Sequence, residues 1–374
     1  MVDSVTNRRI VTPAGSFELK QFDLSVVSAS GAGRVQVWAD ANGRLARIVM
    51  PASSLIVMRE ETIRNPGDED FFIGASGFNL ASTVTRPPGV TGRAPAVVLV
   101  GGPGSQDRDE LTYGVPKFGQ VAGALSEAGY FVVRYDKRGV GQSGGRQEHA
   151  GVVEYAADVT SIVAWLRKRK DIDPDRIVLV GYAEGAAAAL TAASRDNKIG
   201  GVALVAAAGS TGREITLEQQ RLQLIRLKEP EAARQGKIGL QNRVIDAVLT
   251  GKGWEMIPED LRHQADTPWF KSWLLFDPAA TINKLKQPIL IVHGAVDREI
   301  PPAHAERLET AGQARKNVAA ARTRKVVAPG VNHLLIPADT GEIDEYDTLP
   351  TKTISPLVIT ALIDWLKAHP TFPK

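Results

Sequence analysis

One stretch, residues 177–190 (IVLVGYAEGAAAAL), constrains the fold more than any other part of the 374-residue sequence. The apolar run at residues 177–180 is typical of a buried strand, and the alanine-rich run after Gly185 is typical of a helix. Gly181 and Gly185 bracket the turn, and glycine lets a strand and a helix approach closely because it has no side chain. The pattern therefore predicts a sharp strand–turn–helix bend centred on Ala183.

This kind of bend presents the catalytic serine in G-x-S-x-G enzymes, and here alanine stands at its centre. Ala183 occupies the nucleophile position. The N–H of Glu184, at the start of the helix, is predicted to face a developing oxyanion. A chain with alanine at position 183 has no attacking oxygen. We favour an engineered replacement made to trap substrate over natural decay, because the rest of the catalytic set described below is intact.

The composition of the chain limits the kinds of function and site that it can have. The 45 basic and 42 acidic residues are interspersed and give a net charge of +3, which does not favour nucleic-acid binding. The sequence has no cysteine, no H-E-x-x-H pair and no Asp/His cluster, so we expect no disulfide, no metal and no cofactor. No apolar run reaches the ~18 residues of a membrane span. We expect an exported protein whose signal peptide is absent from this chain, with a cytoplasmic location as the alternative.

The first 65 residues predict a small antiparallel β domain. Apolar and polar residues alternate over residues 16–24, 35–39, 45–50 and 55–60, and residues 40–43 (DANG) form a hairpin-turn signal. We expect a packing or oligomerisation module, and hence a possible homo-oligomer. A role in gripping substrate is the alternative.

Residues 66–374 alternate apolar strands with amphipathic helices, which predicts a mostly parallel sheet flanked by helices. Antiparallel strands are expected within residues 71–85. The other predicted strands are 96–100, 130–135, 201–206, 288–293 and 322–327, and the predicted helices are 118–128, 155–170 and 354–369.

Residues 209–277 interrupt this alternation with two long predicted helices, 218–227 and 232–249, and an aromatic patch. An insertion at this point predicts a helical cap over the pocket. Trp269 and Phe270 are candidate substrate contacts there, although aromatic residues of this kind more often form the core of the cap.

A glycine-rich loop, residues 101–110 (GGPGSQDRDE), follows the predicted strand at 96–100. It lacks the Gly-Lys-Ser/Thr ending of a phosphate-binding P-loop, so we predict an oxyanion loop. Pro103 has no N–H, which makes Gly102 the better donor, with Glu184 as its partner. Gln106 is a candidate substrate contact. Residues 136–144 (DKRGVGQSG) predict a structural turn that ties loops together around the site.

Two late segments supply an acid and a base. Asp297 lies just past the predicted strand at 288–293, and His333 follows the last strand, so the order of the three positions is that of a nucleophile, an acid and a base. The carboxylate would orient the imidazole, which would take the serine proton. Among six histidines only His333 has this place, and His293 is predicted to fix a loop. Tyr182 and Leu334 are further candidate substrate contacts.

Together these motifs resemble the α/β-hydrolase superfamily over roughly residues 70–370, and more narrowly the EstD-like bacterial serine esterases. The matching runs are GSQDRDE, YDKRGVGQS, GYAEG, HGAVDREIPP, and GVNHLL followed by EYDTLPTKTISP. The resemblance implies the α/β-hydrolase fold, with Asp297 orienting His333 and with Gly102 and Glu184 as oxyanion donors. The sequence departs from the family at Ala183 and at Pro103, where a residue with an N–H is expected.

Three functions are consistent with the sequence. The first is a carboxylic-ester hydrolase that cleaves a small-molecule ester through an acyl-enzyme and is present here without its nucleophile. The second is an amidase or thioesterase of the same fold. The third is a natural pseudo-hydrolase that binds a ligand without chemistry. The tryptophans of the predicted cap favour an apolar or aromatic acyl or alcohol group.

Overall fold

The computed structural model describes residues 2–12, 15–28, 31–39, 45–50, 55–58 and 64–369. The chain divides into two compact units, residues 1–62 and 63–374.

The first unit is a five-stranded antiparallel sheet in which each strand pairs with the next along the chain. Its strands are β1 (Val2–Thr12), β2 (Gly15–Ser28), β3 (Gly31–Ala39), β4 (Leu45–Met50) and β5 (Leu55–Met58). The small antiparallel sheet is therefore confirmed, and β1 is a strand that the sequence did not predict. The predicted turn at residues 40–43 lies outside the described residues.

The second unit is built on an eight-stranded sheet. Its strands are β6 (Asp68–Gly74), β7 (Asn79–Thr85), β8 (Ala94–Val100), β11 (Phe131–Tyr135), β12 (Ile172–Tyr182), β13 (Gly201–Val205), β14 (Ile289–Gly294) and β15 (Thr323–Ala328), with a separate hairpin of β9 (Leu111–Thr112) and β10 (Val115–Pro116). The strand order is β15-β14-β13-β12-β8-β11-β7-β6. The β6–β7 and β7–β11 pairs are antiparallel, and the other pairs are parallel.

The second unit has ten α-helices among its described residues, some of which cover the two faces of this sheet. They are α1 (Lys117–Glu127), α2 (Val152–Arg167), α3 (Gly185–Arg195), α4 (Gly212–Arg226), α5 (Glu231–Thr250), α6 (Glu259–Ala265), α7 (Pro268–Leu274), α8 (Pro278–Ile282), α9 (Ala303–Gln313) and α10 (Pro356–Ala368). None of the helices in the described part of the chain is both long and apolar enough to cross a membrane.

The alternation of side chains along β8 divides the core into two layers. Val98 packs in the layer that contains α2, α3 and α9, whereas Val97 and Leu99 pack in the layer that contains α1 and α10. Strands buried on both faces carry almost continuous apolar runs, as β8, β11 and β14 do here. The parallel strands therefore end in one rigid edge, from which the loops of the candidate site project.

The segment of helices α4 to α7 has an apolar cluster of its own, centred on Ile245, Val248 and Leu274. Helix α4 begins six residues before the predicted start because Thr211 caps it. Thr211 Oγ1 accepts the Glu214 N–H, and the Glu214 carboxylate accepts the Thr211 N–H. The two long helices predicted for residues 209–277 are present as α4 and α5.

Candidate active site

The bend between β12 and α3 holds Ala183 in an unusual backbone conformation. Ala183 has a φ of 49°, in the left-handed region, and only 4% of its surface is exposed. Its N–H donates to the Val205 carbonyl at 2.9 Å, which ties the bend to β13. An alanine at positive φ is strained, so the surrounding packing must hold it there.

Two glycines make this bend possible, as the sequence predicts. A Cβ on Gly181 would lie 2.6 Å from the Cα of Ala186. A Cβ on Gly185 would overlap the carbonyl oxygen of Val100. The strand and the helix can therefore meet at this angle only when both positions lack a side chain.

Asp297 and His333 meet although they belong to loops after different strands. Asp297 Oδ2 accepts from His333 Nδ1 at 2.8 Å, and Asp297 Oδ1 accepts the N–H groups of Glu299 and Ile300 at 3.0 and 2.8 Å. These bonds fix the carboxylate, which in turn orients the imidazole. Within the described part of the chain, His333 Nε2 has no hydrogen-bond partner.

Tyr182 links this pair to the bend. Its hydroxyl donates to the His333 carbonyl at 3.0 Å, and the centroids of the Tyr182 and His333 rings are 5.4 Å apart. Since Tyr182 directly precedes Ala183, the structure brings the bend, the imidazole and the carboxylate into one place. Tyr182 is thus a buried linking residue, and it lines none of the three cavities described below.

The charges around His333 favour its protonated form. Burial alone would lower its pKa, but the carboxylates of Asp297 and Glu299 and the Asp297 hydrogen bond outweigh burial and raise the pKa of His333 to about 9. The imidazole is therefore largely protonated at neutral pH.

The N–H of Gly102 already has an acceptor, whereas the sequence predicts it as an oxyanion donor. It donates to Glu110 Oε2 at 3.0 Å. Glu110 is 1% exposed and has a φ of 51°, so the loop bends back under strain to deliver this carboxylate. In this structure only Glu184, at the start of α3, remains of the two predicted donors.

A buried lysine binds the carbonyl of the same glycine. Lys137 Nζ donates to the carbonyls of Gly102 and Gly104 at 2.8 and 2.9 Å, and it lies 4.4 Å from the centroid of the Tyr155 ring. Burial lowers the pKa of Lys137, and the charges of Glu110 and Glu184 oppose that effect. The glycine loop is therefore clamped between a buried acid and a buried base.

Burial also raises the pKa values of two carboxyl groups in this region. Burial raises the pKa of Glu110 to about 7, against the opposing charge of Lys117 and the Gly102 hydrogen bond. Burial likewise raises the pKa of Glu184 to about 7, against the charge of Lys137. Both carboxyl groups therefore titrate near neutral pH.

Sequence reasoning missed Glu110, Lys117 and Lys137 as members of this cluster. Lys117 is 1% exposed, its Nζ has no partner within the described residues, and it lies 5.0 Å from the centroid of the Tyr182 ring. Burial lowers the pKa of Lys117 to about 8, and the charge of Glu110 opposes this shift. The sequence feature that could have identified them is a charged residue next to an apolar run, since Lys137 follows β11 and Lys117 begins α1.

Two structural predictions are confirmed. Asp136 ties two loops together, because its Oδ1 accepts Arg108 Nε at 3.0 Å and its Oδ2 accepts Arg108 Nη2 at 2.8 Å. His293 Nε2 lies 2.7 Å from the carbonyl of Ile300 and so fixes the loop that carries Asp297. No group of three His, Cys, Asp or Glu side chains among the described residues is placed to hold a metal ion.

Three cavities lie along the candidate site. The largest, about 580 Å³, is open to solvent and is lined by Lys137, Arg146, Tyr155 and Trp269 among others. The second, about 20 Å³, lies between the glycine loop, Glu184, Trp269 and Trp273. The third, about 10 Å³, is lined by Ala183 and apolar side chains. The largest cavity does not touch Ala183, whereas the smallest does.

Only some of the candidate substrate contacts therefore line a cavity. Trp269 lines the two larger cavities. Phe270 stacks on Trp269, with ring centroids 6.3 Å apart, and packs against the helical core, so it supports that wall. Leu334 is 2% exposed in the core, and Gln106 donates to the Pro103 carbonyl of its own loop at 2.7 Å. Neither Leu334 nor Gln106 lines any of the three cavities.

The architecture is that of known α/β-hydrolases. The structure matches α/β-hydrolase GrgF from Penicillium sp. sh18 with a TM-score of 0.52 and 17% identity, covering 81% of this chain and 98% of GrgF. It matches Est1E from Butyrivibrio proteoclasticus, solved with ferulic acid bound, with a TM-score of 0.52 and 15% identity, covering 81% of this chain and all of Est1E. These matches confirm the predicted fold.

Sequence comparisons agree with the fold. Residues 114–240 match the family described as serine aminopeptidase, S33. The chain is 27% identical over 291 residues to esterase EstD of Thermotoga maritima, and this match covers 77% of the chain and 65% of the length of EstD. The chain therefore has the α/β-hydrolase fold and is similar in sequence to that esterase over most of its length.

Proposed function

We propose that the chain is the scaffold of a carboxylic-ester hydrolase in which Ala183 occupies the nucleophile position, so that it binds an ester and forms no acyl-enzyme. The observation that carries the proposal is the 2.8 Å bond between Asp297 and His333 beside a strained bend centred on Ala183. We also propose that α4 to α7 form a cap over the pocket, and that the β1–β5 sheet is a packing or oligomerisation module.

With serine at position 183, each group has a chemical role. The hydroxyl would attack the ester carbonyl while His333 Nε2 takes its proton, and Asp297 would stabilise the imidazolium. The Glu184 N–H would stabilise the tetrahedral oxyanion, together with Gly102 once Glu110 has released it. His333 would then protonate the leaving alcohol, and water would hydrolyse the acyl-enzyme by the reverse proton transfers.

The relatives support ester chemistry more than its alternatives. EstD is described as an esterase, and its similarity extends over most of this chain. The matching family is described as an aminopeptidase, and a shorter match, 32% identical over 108 residues, is to a thiohydrolase of Arthrinium phaeospermum. Amide and thioester substrates are therefore the alternatives within acyl transfer.

A natural ligand-binding pseudo-hydrolase is the second candidate. Two observations favour it: position 183 has no hydroxyl, and the Gly102 N–H is bonded to Glu110. A chain that only binds would require neither group for chemistry.

The test is the Ala183→Ser variant, assayed with p-nitrophenyl esters, matching anilides and thioesters, and labelled with a fluorophosphonate. We expect ester hydrolysis and covalent labelling of the variant, and neither for the Ala183 chain. Ala183→Ser, His333→Gln is the matched control, because it restores the hydroxyl without the base. A variant that neither labels nor hydrolyses any acyl substrate would leave the binding function as the conclusion.

A further inference from the structure

A row of aromatic rings runs from the open cavity to the small cavity at Ala183. The centroids of Trp269 and Trp273 are 6.1 Å apart with nearly parallel rings, and those of Trp273 and Phe276 are 6.3 Å apart. Trp269 lines the open and the middle cavity, and Trp273 lines the middle cavity and the small cavity at Ala183. The three cavities are therefore neighbours along one aromatic wall, and together they are called the cleft.

We propose that this cleft takes an acetyl-sized ester of a polyhydroxylated alcohol such as a sugar, with the acyl group in the cavity at Ala183 and the alcohol against Glu184 and Trp269. The inference rests on the proposed function, because it assigns the two halves of an ester to the two ends of the cleft.

The order in which the two halves of the ester leave the enzyme decides which half lies at which end of the cleft. The acyl group stays bonded to residue 183 after the alcohol has left, so the alcohol requires the open path to solvent. The cavity at Ala183 is about 10 Å³ and is walled by side chains such as Leu190, Trp273 and Leu308. This space is no larger than the about 10–15 Å³ that one water molecule requires, so any acyl group must displace the wall, and the shortest acyl chains displace it least.

Glu184 supplies a polar contact in the middle of the cleft. It lines the middle cavity, and its Oε2 atom is buried without a hydrogen-bond partner among the described residues. A buried carboxylate oxygen without a donor is unfavourable, and a hydroxyl group is a strong donor to it. A hydroxyl on the carbon next to the ester would supply that donor, which a simple alcohol cannot do.

The open cavity has the side chains that a sugar requires. Tyr155 and Trp269 present ring surfaces, and Arg146, Gln147 and Glu148 present charged and amide groups around them. Aromatic rings pack on the C–H faces of a sugar, while planar polar side chains bind its hydroxyls. An apolar alcohol would leave those polar groups unpaired, so this cavity argues against the apolar leaving group expected from the tryptophans alone.

The first experiment measures binding to the Ala183 chain itself by titration calorimetry. The ligands are a monoacetylated methyl xyloside and cyclohexyl acetate, a matched ring ester without hydroxyls. We expect the xyloside ester to bind at least about tenfold more tightly, which corresponds to ~1.4 kcal/mol. Equal or tighter binding of cyclohexyl acetate would overturn the proposal, as would no binding of the xyloside ester.

The second experiment uses the Ala183→Ser variant to test each end of the cleft. We expect kcat/KM to fall from acetate to butyrate to octanoate p-nitrophenyl esters. Leu190→Ala should shift this preference toward longer chains, and Leu308→Ala serves if Leu190→Ala does not fold. Trp269→Ala should lower the ratio of xyloside ester to cyclohexyl acetate turnover by about tenfold, the loss of one stacking contact. Leu275→Ala, on an exposed side chain outside the cleft, should leave both preferences unchanged.

The two proposals fail in distinguishable ways. Hydrolysis of p-nitrophenyl acetate without preference for the xyloside ester would refute the substrate class and retain the esterase. Failure of Ala183→Ser to hydrolyse any ester would refute the proposed function, and calorimetry on the Ala183 chain would still decide whether the cleft binds a sugar ester.

Discussion

The carboxylate of Glu110 accepts the N–H of Gly102 at 3.0 Å, and the carbonyl of the same glycine accepts the ammonium group of Lys137 at 2.8 Å. Gly102 is therefore held through the two peptide groups that flank it, by buried groups of opposite charge. Removing either group weakens the opposing charge around the other, although Glu110 retains Lys117 nearby and Lys137 retains Glu184.

Lys137→Met should destabilise the protein by about 1–3 kcal/mol, the usual cost of leaving a buried polar group without its hydrogen-bond partner. Two backbone carbonyls, of Gly102 and Gly104, lose their donor, and Glu110 and Glu184 lose a nearby positive charge. Urea unfolding at pH 7 measures the effect. Lys170→Met, on an exposed position, is the control and should stay within about 0.5 kcal/mol of the unmodified chain. Equal stability of the two variants would show that the clamp contributes nothing.

Glu110→Gln should flatten the pH dependence of stability between about pH 4.5 and pH 7. Burial raises the pKa of Glu110 from 4.5 to about 7, so the folded chain binds a proton that the unfolded chain has released. This contribution is complete below pH 4.5 and is lost as pH rises to 7, with an upper limit of about 3 kcal/mol. Glu184 titrates in the same window and should retain its own part of the slope. An unchanged slope in Glu110→Gln would contradict the assignment.

His333→Gln should remove a second pH dependence, between about pH 6.5 and pH 9. Net attraction from Asp297 and Glu299 overcomes burial and raises the pKa of His333 to about 9, so the folded chain holds this proton more tightly than the unfolded chain. The stabilisation is complete below pH 6.5 and is lost as pH rises through 9. Thermal unfolding in this range should show a falling Tm for the unmodified chain and a flatter profile for the variant.

The Ala183→Ser variant should gain activity with rising pH up to about 9. Its base must be neutral to accept the serine proton, and the raised pKa of His333 keeps the imidazole protonated at pH 7. The pH profile of kcat/KM for p-nitrophenyl acetate measures this titration. Adding Asp297→Asn should lower kcat by about 10⁴-fold and move the remaining titration to lower pH, because the charge that raises the pKa is lost. A profile that is flat from pH 6 to pH 9 would contradict His333 as the base.

Ala183→Gly should be neutral or stabilising by up to ~1 kcal/mol, because glycine adopts a φ of 49° without strain. Ala187→Gly is the matched control: it lies in α3, is equally buried, and should cost about 1 kcal/mol through its lower helix propensity. Denaturant unfolding of the two variants gives the comparison. A similar loss in both would show that position 183 is unstrained.

Part of the site could be predicted from short stretches of the sequence. The bend at Ala183 depends on Gly181 and Gly185, which are close in sequence, and the places of Asp297 and His333 follow from the strands before them. The Glu110–Gly102 bond was not predictable, because it requires the loop to turn back through a positive φ that the sequence pattern does not encode. Likewise, the neighbours Trp269 and Phe270 have the same pattern, and only the packing of α7 decides which one faces a cavity.

The strained conformation of Ala183 has a consequence for the gene. Every alanine codon becomes a serine codon through a single first-base change, and the backbone that would aim the new side chain is already in place. Loss of the reacting atom at such a position is therefore reversible by mutation for as long as Gly181 and Gly185 remain glycine.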